Sequence, residues 1–160
     1  MDQLTTSPTA TAITAEPQTE APSRADQADG DTTITYLAAA VFVANAVHAE
    51  AITDPDPAGR LDSICDAVPD AMAEVIAKVG TSHPLADFLQ AEVPARLRAA
   101  AAIEHARAEI DPGYGYLLDY LVENLRAGGD PFAIRQAAED APQRLRDQRA
   151  AALTDEQTRA

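Results

Sequence analysis

Thr33–Ile52, TITYLAAAVFVANAVHAEAI, is the longest nearly uncharged run in the chain, interrupted only by Asn45, His48 and Glu50. At helical spacing, Ile34, Leu37, Val41, Asn45, His48 and Ile52 share one stripe. Tyr36, Val43 and Val47 fall on roughly the opposite side, and alanines fill the flanks. A helix that is apolar on two sides is ordinarily buried on both. The stretch is therefore expected to be the central helix of a small bundle.

Working outward, the punctuation divides the rest of the chain. Asp54-Pro55, Asp56-Pro57, Asp111-Pro112 and Asp130-Pro131 pair a residue that accepts orphan helix N–H groups with one suited to the first helical position. Ser82-His83-Pro84 is a start of similar kind. Gly80, Gly113 and Gly128-Gly129 mark ends or turns. The expected elements are helices at 32–51, 57–79, 84–110, 113–127 and 131–153, with little strand signal. The fourth has the cleanest stripe: Tyr114, Leu117, Leu118, Leu121, Val122 and Leu125. Pro69, Pro94 and Pro142 fall inside the second, third and fifth, where each is expected to kink or break its helix.

The fold expectation is all-α, a bundle of about five helices behind a disordered N-terminal tail. Residues 1–31 carry six acids against Arg24, and only Leu4 and Ile13 are large apolar residues. Such a segment buries too little to offset its ordering entropy. Residues 32–153 form the bundle domain, and 154–160 a polar C-terminal tail. Alanine supplies 36 of the 160 residues. It favours helix and close axes but buries little area per residue, so the core is thin and burial against a second copy is a further expectation.

A formal net charge of −14 argues against direct nucleic-acid binding and against an anionic membrane surface, both of which need basic patches. The N-terminus has no basic segment followed by an apolar run, so a secretory signal is not expected. Tyr36–Val47 is shorter than the ~20 residues a bilayer span needs. A cytoplasmic protein is expected. The single cysteine, Cys65, falls beside Leu61, Ile64 and Val68 at helical spacing and reads as core.

Asn45 and His48 are three apart on the apolar stripe. They read as a hydrogen-bonded pair fixing register or, with Tyr116 and Tyr120, as the lining of a ligand pocket. Asp62, Asp66, Asp70 and Glu74 step by four along the second helix and make an acidic stripe, a solvated face or a contact surface for a basic partner. Glu104, His105 and Glu109 superficially suggest a carboxylate–histidine metal site, but adjacent Glu104 and His105 point about 100° apart, so no metal is expected. Nor is a cofactor expected, since no glycine loop matches a phosphate cradle and no catalytic set is suggested by spacing. The reading is a non-enzymatic interaction or regulatory module with a protein partner, and self-association is a further expectation. Two alternatives stay open: a small-molecule-binding bundle or enzyme with a pocket around His48, and an acidic mimic that blocks a nucleic-acid-binding protein.

Overall fold

A computed structural model describes residues 24–79 and 83–159. Among these residues the chain is all-α: α1 (Arg24–Ala51), α2 (Pro57–Val79), α3 (Pro84–Glu109), α4 (Gly115–Arg126) and α5 (Pro131–Arg159), with a 3-10 turn at Pro112–Tyr114 before α4. The starts of α2, α3 and α5, and of the turn before α4, follow the punctuation. Asp56 Oδ1 accepts from Gly59 N at 3.1 Å, Asp111 Oδ1 from Gly113 N at 2.9 Å and Asp130 Oδ1 from Phe132 N at 3.0 Å. His83 Nδ1 accepts from Leu85 N at 3.1 Å and caps α3. Asp54-Pro55 starts no helix; it lies in the α1–α2 turn, where Asp54 Oδ1 accepts from Asp56 N.

Two helices outrun their expected bounds. α1 begins at Arg24, so residues 24–31 are helical, and α5 runs to Arg159, through most of the expected C-terminal tail. The expected tail at 1–23 lies outside the described residues. The three internal prolines do not break their helices: α2 continues through Pro69, α3 through Pro94 and α5 through Pro142. Each removes one backbone donor, but Pro94 and Pro142 are themselves buried, and packing offsets the loss.

The centre of the bundle is α3, not α1. α3 packs on α1, α2, α4 and α5, and its buried residues run almost unbroken from Val93 through Ala106. Here the expectation for Thr33–Ile52 fails, and the reason is side-chain size. Among its described side chains, those that α1 buries fully are Ala40, Ala44, His48 and Ala51. These define an inward direction roughly 70° from the stripe chosen by the large side chains. Leu37 and Val41 flank that alanine ridge on one side and Tyr36 and Val47 on the other, all half-buried. α3 buries Ala99, Ala100, Ala101, Ala102 and Ala106 in the same core, spread around its girth rather than along one face. The small ridge residues let the α1 axis come close to α3, while the larger residues of α1 grip at the edges.

The end of α4 is tightly held. Gly128 adopts φ +94, a left-handed conformation favourable only to glycine. Gly129 N donates to Asn124 O at 2.9 Å and Gly128 N to Leu125 O at 3.2 Å, the paired bonds of a Schellman stop. Asn45 Nδ2 of α1 reaches the Arg126 carbonyl at 3.4 Å. Arg96 of α3, only 2% exposed, donates from Nη1 to Leu125 O at 3.1 Å and from Nη2 to Gly128 O at 3.3 Å, while Glu92 lies 2.9 Å from Nη2. Arg96 Nε alone finds no partner. A cation among the terminal carbonyls of a helix is favoured by the local dipole, and its fork bridges two carbonyls at once.

Candidate functional site

Three surfaces carry chemistry. The first is a cleft of about 570 Å³ lined by His48 of α1, Pro57 of α2, Glu104 and Arg107 of α3, and Asp119 and Arg126 of α4. His48 Nε2 lies 3.3 Å from Glu104 Oε1, with both side chains largely buried. Glu104 Oε2 is 3.4 Å from Arg107 Nε, and Arg107 Nη2 is 2.9 Å from Asp119 Oδ1. The result is a line of pairs, His48–Glu104–Arg107–Asp119, that stitches three helices together. Both Glu104 oxygens and two nitrogens of Arg107 are engaged within the protein. The arrangement thus favours holding helices over recognising a ligand.

Asn45 and His48 do not pair with each other; Asn45 serves the end of α4 and His48 serves Glu104. Tyr116 and Tyr120 are both well exposed and belong to the outer side of α4. Tyr120 borders a shallow hollow with Leu117, Leu121 and Ala141, and neither tyrosine lines the His48 cleft. The four polar residues read together from the sequence therefore do not converge.

The His48–Glu104 pair makes a measurable prediction. In a double-mutant cycle with His48→Leu and Glu104→Gln, chemical denaturation is expected to give a coupling of about 1 kcal/mol. His48→Leu alone should lower stability by about 1 kcal/mol or less, because Glu104 keeps Arg107. A loss of several kcal/mol from that single change would mean that the imidazole holds far more than this one contact.

The second surface is a trough of about 630 Å³ between α2 and α5, floored by Ala101, Ala102, Ala106 and Ala138. Asp62 and Asp66 stand on its rim, and Asp62 Oδ2 lies 2.7 Å from His105 Nε2. Asp70 and Glu74 continue the exposed acidic face along α2, and Glu74 pairs with Lys78 at 2.6 Å. The stripe survives Pro69 because α2 runs on through it. Cys65 is buried behind this rim, and burial pushes its thiol pKa up against the opposing pull of Arg98. No group of three metal-ligating side chains comes together among the described residues.

The third surface was not legible from the sequence: the outer face of α1. Phe42 is 75% exposed, with Ile34 and Val43 at the two edges of the same face. Ala38, Ala46 and Ala49 surround Phe42 and are also exposed. No Asp, Glu, Lys or Arg occurs from Thr32 to Ala49, a length of about 27 Å in a helix. The signal that could have located it was the alanine spacing 40, 44, 51. Once that ridge is taken as the inward side, Phe42 must point away. Arg96 was likewise missed, although an arginine between Val93 and Leu97 at helical spacing signals a buried charge with a partner. Searches of protein families, of curated proteins and of solved structures find no match to this chain.

Proposed function

We propose that the chain is a non-enzymatic helical interaction module whose working surface is the outer face of α1. The observation that carries this is the exposure of Phe42 at the centre of an uncharged helical face. Single exposed apolar residues are ordinary, but a contiguous uncharged patch on an otherwise acidic protein marks a contact surface. The bundle beneath supplies a rigid mount, with α1 tied down by His48–Glu104 and by Asn45 on α4.

The segment Gly30–Ala51 is long and apolar enough to cross a bilayer. Its inner side, however, contributes Ala40, Ala44 and Ala51 to the core, and extraction into lipid would strip His48 and Asn45 of their partners. A protein partner in an aqueous compartment such as the cytoplasm fits this better. A second reading rests on the exposed acidic face of Asp62, Asp66, Asp70 and Glu74, which suits a basic partner. The two differ in salt response: charge pairing weakens as salt rises, whereas an apolar contact does not.

Placing the photo-crosslinking residue p-benzoylphenylalanine at position 42, and at exposed Ala133 on α5 as a control, tests the first reading in cells. Adducts are expected from position 42 and not from 133. Absence of an adduct at 42, or equal yields at both positions, would contradict it.

A further inference from the structure

We infer that the occupant of this face is a second copy of the chain, packed α1 against α1 about a two-fold axis; the inference rests on the surface reading above. The first argument is shape. Phe42 is a single knob with Ala38 one turn before it and Ala46 one turn after, all on the exposed side. A two-fold interface sets the same patch on both subunits, so each Phe42 is offered the alanine hollow beside its counterpart. A flat row of large side chains would lack that self-complementarity, and a row of alanines alone would lack the knob.

The second argument is charge. With a net charge of −14 on the whole chain, a basic protein would be drawn to the acidic surfaces, not to a face that carries no charge. Another copy meets least repulsion where it brings no carboxylates, and the outer face of α1 between Thr32 and Ala49 is such a place. Asp31 and Glu50 stand just beyond its two ends and set the limits of the contact.

Magnitude decides the strength. A single helix pair about 27 Å long covers less than the ~800 Å² per partner of a standard interface. Two acidic chains also repel. The dimer is therefore weak, with a dissociation constant on the order of 10–100 μM, and it tightens as salt screens the repulsion.

Sedimentation equilibrium of the full chain from about 5 to about 500 μM, at about 0.05 and 0.5 M NaCl, reads this out. A monomer–dimer equilibrium is expected, tighter by about threefold or more at the higher salt. Phe42→Glu should stay monomeric throughout with an unchanged melting temperature at low concentration, since its side chain supports nothing in the bundle. A monomer at every concentration overturns the inference, as does a dimer that weakens with salt or survives Phe42→Glu. Flotation with phosphatidylcholine vesicles that requires Phe42 would assign the face to lipid and overturn it as well. If the chain is monomeric but position 42 still crosslinks to a different protein, the second copy is excluded and the surface reading stands. If neither occurs, both fail.

Discussion

Replacing Arg96 with alanine is expected to lower the unfolding free energy by about 3 kcal/mol and the melting temperature by on the order of 10 °C. The guanidinium joins α3 to the end of α4 through Leu125 O and Gly128 O and pairs with Glu92. Removing it leaves Gly128 O without that donor, strips Glu92 of its cation and opens a void beside Leu125. Two controls separate these effects. Arg96→Met keeps the packing and loses the bonds, so it should cost less than alanine. Arg96→Lys keeps the charge but has no fork, so it should recover less than half of the loss. Urea denaturation measures all three. A loss below about 1 kcal/mol for alanine would mean that the end of α4 is held by its own Gly128–Gly129 stop and that the buried charge adds little.

The second large effect concerns the alanine ridge of α1, the helix that packs chiefly on α3. Ala40→Leu adds three carbons at a position with no exposed surface, between helices whose separation is set by small residues. Overpacking of this kind should cost about 2–3 kcal/mol. Ala38→Leu, on the outer side of the same helix, should lie within about 0.5 kcal/mol of wild type, measured at concentrations too low for association. If both substitutions were neutral, or Ala40→Leu stabilising, α1 would be loosely seated rather than close-packed.

These two effects show where the sequence was legible and where it was not. Helix number and the starts of α2 and α5, with the turn before α4, were readable because capping is local chemistry: Asp56, Asp111 and Asp130 accept N–H groups two or three residues away; the start of α1 at Arg24, which has no such signal, was not. The stripe of α4 was readable in part: Leu118, Val122 and Leu125 are buried and large enough to mark the inward side, whereas Tyr114 and Leu117 of the same expected stripe are exposed. Alanine gives no such mark. In α3 the run Ala99–Ala102 is buried as one block, and large residues mark mainly its first half, where Phe88, Leu89, Val93 and Leu97 reach the core, so its burial on every side was not legible. In α1 the large side chains border the contact instead of making it. Partners far apart in the chain were out of reach altogether. His48 and Glu104 are separated by 56 positions and Asn45 and Arg126 by 81, and nothing local in either member names the other. Each polar side chain therefore looked like a site candidate until its distant partner was in view.

The claim on which the functional account depends is that α1 turns alanines inward and Phe42 outward, and cysteine accessibility tests it most directly. In a Cys65→Ala background, Phe42→Cys and Ala44→Cys are compared for their rate of maleimide labelling at low protein concentration. The structure predicts that position 42 reacts at close to the rate of an unfolded peptide, and that position 44 is slower by about a hundredfold or more because labelling must await local opening. Equal rates, or faster labelling at 44 than at 42, would contradict it.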